Sequence, residues 1–273
     1  MNDVALRADA SAADAGVVGA LPQLLAEAVA APRIALVIPC YRHARSLPAL
    51  LDRLAPLQLP AFVIDDGNPA AEADAIGVAC ASRGAELVRL PRNRGKGDAV
   101  HAGCLAARAA GCTHALQIDA DGQHDTADVP RFLEFARQHP QALVCGTPVY
   151  DASVPAARLW GRRLSHALVW LETLSFGIRD SMCGLRVYPL ESALAQWRHG
   201  TIGARMDFDT DVLVRMFRGG VPVANLPVHV TYPADGFSNY RYLRDNLRMI
   251  ALHLRLLAGL PVYALRRLWR ALR

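Results

Sequence analysis

Short apolar runs alternate with longer Ala- and Leu-rich segments through residues 31 to 150. The short runs are typical of buried strands and the longer segments of helices. Such alternation with short loops predicts an α/β fold in which helices cover both faces of a mostly parallel sheet. The predicted strands are Ile34–Ile38, Ala61–Ile64, Glu86–Leu90, His114–Ile118 and Ala142–Cys145, and the predicted helices are Ser46–Leu57, Ala70–Arg83, Lys96–Ala110 and Ala127–Gln138.

The alternation stops after Tyr150. Beyond it, the sequence predicts helices over Arg158–Phe176 and Thr210–Arg218, and strands over Leu185–Tyr188 and Val223–Val230. With 273 residues, 52% of them hydrophobic, the chain is long enough for one sizeable core with a smaller appendage. We therefore predict a flexible N-terminal segment (1–30), a main domain (31–236, with halves of about 31–150 and 151–236) and a C-terminal tail (237–273).

Positive charge is concentrated in the tail. The formal net charge is +5, but residues 237–273 hold eight arginines and one acid, whereas 22 basic and 24 acidic residues precede them. The basic balance is thus a property of the tail, and no nucleic-acid-binding surface is predicted. Lys96 is the one lysine beside 29 arginines.

Apolar residues of the tail recur at helical spacing. Such a helix either packs on its own domain or adsorbs to anionic lipid, and the arginines together with Trp269 favour the membrane surface. No uninterrupted apolar window of roughly 20 residues could cross a bilayer. The apolar positions are Leu247, Ile250, Leu254, Leu257 and Leu260, and the arginines assigned to the polar side are Arg248, Arg255, Arg266, Arg267 and Arg270.

The six cysteines are widely spaced and form no C-x-x-C pair. Several lie in apolar stretches, where a small buried side chain suffices, so this usage fits a reduced compartment. The first residues carry acids and no basic region before an apolar block, unlike a secretory signal. We therefore expect a cytoplasmic protein, lying peripherally at the inner face of the cytoplasmic membrane.

Polar residues follow each of the first four predicted strands. Because ligands bind at the carboxyl ends of the strands in such sheets, we expect these residues to lie together on one rim. The rim segments are Pro39-Cys40-Tyr41, Asp65-Asp66-Gly67, Arg92-Asn93-Arg94-Gly95-Lys96-Gly97 and Asp119-Ala120-Asp121-Gly122-Gln123-His124.

Asp119 and Asp121 carry the sharpest chemical signal. Two carboxylates one residue apart can hold a hard divalent cation while that cation binds a diphosphate, whose charge it neutralises as the group departs. An acidic turn with locally bonded aspartates is the alternative. Asp65 and Asp66 could accept hydrogen bonds from a nucleotide, or form an ordinary Asp-Gly turn. Lys96 opens a helix whose N-terminus favours anions, without the spacing of a P-loop.

Four segments, taken in their order along the chain, resemble the motifs of glycosyltransferase family 2, and the resemblance extends over about residues 33 to 240. Among family members, the chain is most similar to the polyprenyl-phosphate mannose and glucose synthases. Arg42 and His43 stand where the family usually has Asn and Glu. The segments are Ile38-Pro39-Cys40-Tyr41, Ile64-Asp65-Asp66-Gly67, Asn93-Arg94-Gly95-Lys96-Gly97 and Asp119-Ala120-Asp121-Gly122-Gln123-His124.

The resemblance implies a GT-A fold, with a Rossmann-like nucleotide-binding half and a second half that shapes the acceptor side. It implies a Mg²⁺ or Mn²⁺ site at Asp119, Asp121 and Gln123, where both aspartates serve catalysis. The nucleotide-sugar pocket that it implies is formed by Pro39, Tyr41, Asp65, Asp66, Lys96 and Asp119.

Acceptor-binding candidates lie in the second half. The segment from Arg179 to Arg186 is similar to the family pattern D-x-x-C/S-G-[FL]-[RK], and Asp235 to Ser238 resembles the family's Gly-x-Ser loop. Thr147-Pro148 replaces the Ser-Arg pair common in lipid-phosphate synthases, which weakens the case for a polyprenyl-phosphate acceptor. The candidates are Arg162, Arg163, Ser165, Asp180, Arg186 and Ser238, although the first three could simply coat a helix.

A hydroxyl acceptor needs a carboxylate base near the attacked carbon, whereas an ionised phosphate acceptor needs none. Asp209 is the first candidate for this base and Asp207 the second, although Asp209 could equally cap a helix.

We therefore expect an inverting transferase that moves a hexose from a UDP- or GDP-sugar to a lipid-linked or amphipathic acceptor. The rivals are a non-catalytic sugar-nucleotide-binding or membrane scaffold and a phosphohydrolase, but the Asp-x-Asp-x-Thr motif of haloacid-dehalogenase-like phosphatases is absent at Asp119.

Overall fold

A seven-stranded sheet organises the part of the chain that the computed structural model describes, namely residues 31–150, 156–200, 202–231 and 241–272. The strands are β1 (Ile34–Cys40), β2 (Ala61–Asp65), β3 (Glu86–Arg89), β4 (His114–Gln117), β5 (Leu143–Tyr150), β6 (Arg186–Pro189) and β7 (Val223–Val230). Their order across the sheet is β3-β2-β1-β4-β6-β5-β7. All neighbouring pairs are parallel except those of β6, which is antiparallel to both β4 and β5.

Helices cover both faces, as the sequence predicts. Side chains of β1 alternate between two cores: Ala35 and Val37 enter one, and Leu36 and Ile38 enter the other. The helices are α1 (Leu47–Leu54), α2 (Ala70–Ala81), α3 (Lys96–Ala109), α4 (Val129–Gln138), α5 (Ala156–Thr173), α6 (Leu190–Arg198), α7 (Phe208–Arg218), α8 (Tyr242–Ala258) and α9 (Leu260–Ala271).

Three elements differ from the prediction. The first predicted helix ends at Leu54 and continues as a 3-10 turn, because Pro56 cannot donate the next helical hydrogen bond. Strand β5 continues to Tyr150, since its second half pairs with β7. The short helix α6, which follows β6 directly, is not predicted by the sequence pattern.

The tail forms two helices with different surroundings. Helix α8 buries Met249, Leu252 and Leu256 in a core of the main domain, whereas α9 buries none of its residues. Within the described residues, no single helix suits a membrane span, although α8 and α9, bent by 46° at their junction, do so as a pair by length and composition. The predicted flexible segment 1–30 lies outside the described residues.

The arginines of the tail have other partners than the sequence predicts. Arg248 pairs with Asp245 at 2.8 Å and Arg255 with Asp211 at 2.5 Å. Arg267 donates to the carbonyl oxygen of Thr173. These three arginines therefore bond within the protein, two of them across to other elements, and are not simply the polar face of a free helix.

Candidate active site

The amino end of α3 carries Lys96 into the centre of the rim. Its Nζ lies 2.9 Å from both carboxylate oxygens of Asp119 and 2.8 Å from Oδ2 of Asp209. Burial acts to lower the pKa of Lys96, but the two carboxylates outweigh it and hold the pKa above its usual value. The rim therefore has a permanently charged ammonium between two carboxylates from different halves of the chain.

Asp119 and Asp121 follow β4 with opposite electrostatic surroundings. Burial raises the pKa of Asp119, but Lys96 and His124 more than compensate, so that it lies below its ordinary value. Burial and the charge of Asp119 raise the pKa of Asp121. Gly184 packs against Asp119, because a Cβ there would lie 2.0 Å from Oδ2. The family-like segment around Gly184 thus makes room for this carboxylate.

The oxygen set at this strand end fits a hard divalent cation. Oδ1 of Asp119 is buried and makes no hydrogen bond, although the ammonium of Lys96 lies 2.9 Å from it as an ion-pair partner. The carboxylate of Asp121 and the side-chain amide of Gln123 follow on the same turn, in which the backbone N–H of Gln123 donates to Oδ1 of Asp121 at 3.0 Å. Among the described residues, no group of three His, Cys, Asp or Glu side chains forms a metal site. A cation site of two carboxylates and an amide oxygen at Asp119, Asp121 and Gln123 therefore stays a prediction.

Asp66 holds the loop that leads into Lys96. Its carboxylate accepts hydrogen bonds from the backbone N–H of Arg94 at 2.7 Å and of Gly95 at 2.8 Å, and from the side chain of Asn93 at 2.8 Å. The pKa of Asp66 is raised, chiefly by burial. Asp66 thus shapes the proposed nucleotide pocket, while a direct contact with the nucleotide stays a prediction.

Asp65 and the turn after β1 are joined through Asn68. Oδ1 of Asp65 accepts from the side chain of Asn68 at 2.8 Å, and the same amide group donates to the carbonyl of Cys40 at 2.9 Å. Pro39 and Tyr41 flank this carbonyl and are partly exposed. Contacts therefore link the loops after β1, β2, β3 and β4, as expected for one rim.

Asp209 contacts Lys96, although it comes from α7. That helix begins at Phe208 with Asp207 as its N-cap residue, so Asp209 lies in the first turn and does not cap the helix. Its carboxylate contacts Lys96, and Asp207 instead accepts from the backbone N–H of Arg205 at 3.1 Å. Of the two candidate bases, Asp209 is the one that the structure brings to the ammonium of Lys96.

Two acceptor candidates form a buried ion pair. Arg162 donates twice to Asp180, at 2.6 and 2.8 Å, and His166 lies 3.2 Å from the same carboxylate. Burial raises the pKa of Asp180, but Arg162 and His166 outweigh it and keep the pKa well below its ordinary value. Asp180 therefore stays ionised and fixes Arg162 in place.

Arg186 and Ser165 have internal partners. The guanidinium of Arg186 is fully buried and donates to the carbonyl oxygens of Cys183, Ser181 and Asp209. Ser165 is buried and bonded to His253 at 3.0 Å. Because these hydrogen bonds occupy both side chains within the protein, they favour a structural role for Arg186 and Ser165 over direct contact with an acceptor. Arg163 is exposed on α5, and Ser238 lies outside the described residues.

Gln117 and Tyr188 are site neighbours to which the sequence analysis gives no role. Nε2 of Gln117 donates to Asp209 at 3.2 Å, and Oε1 of Gln117 accepts from the hydroxyl of Tyr188 at 3.0 Å. The sequence signal for Gln117 is that it is a polar side chain within an apolar strand. A buried amide requires hydrogen-bond partners, so such a residue indicates a polar neighbour. The sequence could not identify those partners, which lie far away along the chain.

Comparisons with known proteins identify the family of this chain. The family model "Glycosyl transferase family 2" matches residues 35–191. Dolichyl-phosphate beta-glucosyltransferase of Homo sapiens is 29% identical over 223 residues, which is 73% of this chain and 67% of that protein. The protein of the same name from Dictyostelium discoideum is 26% identical over 220 residues, 72% of this chain and 66% of that protein. The chain thus spans about two thirds of the length of these relatives.

Solved structures agree on the fold. Glucosyl-3-phosphoglycerate synthase from Mycobacterium tuberculosis aligns with a TM-score of 0.62 at 18% identity, covering 82% of this chain and 80% of that one. Mannosyltransferase PcManGT from Pyrobaculum calidifontis, in complex with GDP-Man and Mn²⁺, aligns with a TM-score of 0.58 at 15% identity, covering 86% and 69%. The chain therefore belongs to glycosyl transferase family 2 and is a glycosyltransferase with a GT-A fold.

Proposed function

We propose that this protein transfers a hexose, with inversion, from a UDP- or GDP-sugar to a lipid-linked acceptor at a cytoplasmic membrane surface. The observation that carries this proposal is the shared ammonium of Lys96, which lies between Asp119 of the donor side and Asp209 of the second half. The dolichyl-phosphate glucosyltransferases among the relatives support a lipid-linked acceptor.

Asp119, Asp121 and Gln123 would hold Mg²⁺ or Mn²⁺ in this proposal. When bound, the cation neutralises negative charge on the departing nucleoside diphosphate as a Lewis acid. A structural relative with GDP-Man and Mn²⁺ on the same fold supports this choice of ion. The low pKa of Asp119 keeps that ligand ionised at neutral pH, so it is ready to bind the cation.

Lys96 supplies a second positive charge for the leaving group. Once turned toward the bound diphosphate, its ammonium stabilises the negative charge that develops there. A bound diphosphate competes with Asp119 and Asp209 for this ammonium. Asp209 would then have a free Oδ2 with which to accept a proton from a hydroxyl acceptor, whereas an ionised phosphate acceptor would need no base.

The acceptor site is proposed around the pair of Arg162 and Asp180. Asp180 fixes the Arg162 guanidinium, and Arg163 follows on the same helix. These arginines are the proposed contacts for an acceptor phosphate in place of the missing Ser-Arg pair. Ser238 remains a predicted contact from the loop that precedes α8.

A stripe of exposed apolar side chains on α8 supports contact with lipid. Leu243, Leu247, Ile250 and Leu254 lie on the side opposite the buried residues of the helix and are 55–74% exposed. Exposed arginines at 244, 266 and 270 supply positive charge for an anionic surface. The tail is therefore proposed to lie on a membrane with this exposed apolar stripe facing the lipid.

Introducing charge into this stripe is expected to release the protein from membranes. Burying one leucine contributes about 1.5–3 kcal/mol, so Leu247→Glu should weaken binding to phosphatidylcholine vesicles containing phosphatidylglycerol about tenfold or more. Cosedimentation with vesicles measures the effect. Val78→Glu, at an exposed site on α2, is the matched control and should bind like wild type. Absence of wild-type binding would contradict the proposed docking.

The donor and the ion can be identified by measuring nucleotide release from a panel of UDP- and GDP-sugars. We expect one donor to be hydrolysed slowly by purified protein with Mg²⁺ or Mn²⁺, and EDTA to abolish the release. Membrane extract should accelerate it by supplying acceptor. Binding without release under all of these conditions would favour the non-catalytic scaffold, which the comparisons do not support.

A further inference from the structure

We infer that Gln117 is a positioning residue for the carboxylate of Asp209, and that Tyr188 fixes the orientation in which Gln117 acts. This inference rests on the proposed function with a hydroxyl acceptor, for which Asp209 is the candidate base. Gln117 ends β4, Tyr188 lies in β6 and Asp209 lies in α7. Only the fold brings the three side chains together.

The amide of Gln117 is completely buried within the sheet. A buried amide without partners is costly, so its polar atoms need hydrogen bonds. The structure gives it one partner at each end: Nε2 donates to Oδ1 of Asp209 at 3.2 Å, and Oε1 accepts from the Tyr188 hydroxyl at 3.0 Å. Gln117 therefore joins a phenol to a carboxylate of the site.

The chemistry of the two neighbours determines which way the amide points. An ionised carboxylate can only accept hydrogen bonds, so Asp209 requires the NH₂ end of Gln117. Burial raises the pKa of Tyr188, which keeps its hydroxyl protonated and able to donate to the carbonyl end. A flipped amide would place its oxygen against the carboxylate of Asp209 and lose the hydrogen bond between them.

This hydrogen bond matters most when the donor is bound. Lys96 holds Oδ2 of Asp209 at 2.8 Å, but it is shared with Asp119 and would turn toward a diphosphate. Gln117 is then the side chain that still holds Oδ1. Arg186 fixes the same residue through its backbone carbonyl. Asp209 would therefore keep its place after Lys96 is drawn away.

The test is Gln117→Met, which keeps the length of the side chain and removes its donor. With a hydroxyl acceptor, we expect kcat to fall about 10- to 100-fold, the range seen when groups that orient a metal ligand are lost. KM for the donor should stay within about twofold, because a positioning effect on the base acts in the transition state. Tyr188→Phe should lower kcat in the same direction by a smaller factor.

A second background separates positioning from a general structural role. If Gln117 acts through Asp209, adding Gln117→Met to Asp209→Asn should cause no further loss of kcat. Thr173→Val is the matched control, since it removes a buried hydroxyl that bonds to backbone carbonyls of α5 and of the turn after it, and it should leave kcat unchanged. Thermal unfolding of each variant checks that the comparison is made on folded protein.

Two results would overturn the inference: an unchanged kcat in Gln117→Met, or an equal loss of kcat when Gln117→Met is added to wild type and to Asp209→Asn. In either case, transfer by the wild type would leave the proposed function standing. Full activity of Asp209→Asn would instead remove the base from the proposed function, and the inference with it.

Discussion

Replacing Asp121 with asparagine is expected to reduce transfer about 10³-fold, the scale of several kcal/mol that a bound cation contributes to a transition state. Asparagine keeps an oxygen that can accept the hydrogen bond from the backbone of Gln123. It lacks the negative charge that a divalent cation needs beside Asp119. The loss should therefore appear in kcat/KM and not be recovered at high Mg²⁺ or Mn²⁺.

The fold should tolerate this change. The pKa of Asp121 is raised by burial and by Asp119, so its ionised form costs stability at neutral pH and a neutral amide removes that cost. Thermal unfolding should show an unchanged or slightly higher Tm. Asp74→Asn, an exposed acid on α2, is the charge-matched control and should be fully active. Wild-type rates for Asp121→Asn would refute the assigned cation site.

Lys96→Met is expected to affect both activity and stability. The ammonium lies between two largely buried carboxylates, with Lys96 17% exposed and Asp209 8% exposed. Removing one member of such a group leaves uncompensated buried charge, which costs about 3–5 kcal/mol. Transfer should fall at least about 10²-fold, because the donor diphosphate loses a fixed positive charge.

Urea denaturation at pH 7 measures this change in stability. At that pH, Lys96 is charged because its pKa is raised, and Asp119 is ionised because its pKa is lowered, so the ion pair is fully present. Arg83→Met is the control, since Arg83 pairs with Asp52 at the surface and should unfold near the wild-type midpoint. Equal midpoints for Lys96→Met and wild type would contradict the central place of this ammonium.

The rim was predictable because strands and loops have distinct local signals. Apolar runs predict the strands, and each polar segment after a strand must lie at the same edge of a parallel sheet. The contacts of Asp66 with the loop before Lys96 follow this rule. The sequence could not predict the different contacts of these aspartates: Asp66 holds the loop before Lys96, whereas Asp119 contacts Lys96 itself.

Long-range partners explain what the sequence left open for Asp209 and Gln117. From the sequence pattern alone, Asp209 could be a helix cap, and Gln117 is a single polar residue in an apolar strand. Their contact joins positions 92 residues apart, and no local periodicity encodes it. Only the packing of α7 beside β4 and β6 distinguishes a site carboxylate from a helix cap.

The tail shows a limit of reading periodicity. The predicted apolar positions Leu247, Ile250 and Leu254 are the exposed ones, while Met249 and Leu252 pack on the domain. A helix with two apolar faces gives one continuous signal, which does not reveal which face is covered. Packing on the domain and contact with lipid are therefore compatible, one for each face.

Transfer of labelled hexose from a nucleotide sugar to a polyprenyl phosphate, in detergent or vesicles, tests the proposed function most sharply. Wild-type protein with Mg²⁺ or Mn²⁺ should produce a labelled, solvent-extractable glycolipid of inverted anomeric configuration. EDTA should abolish it, and Asp121→Asn should reduce it about 10³-fold. If no UDP- or GDP-sugar yields such a product, while the folded protein still binds the nucleotide sugar, the proposed transfer to a lipid acceptor is wrong.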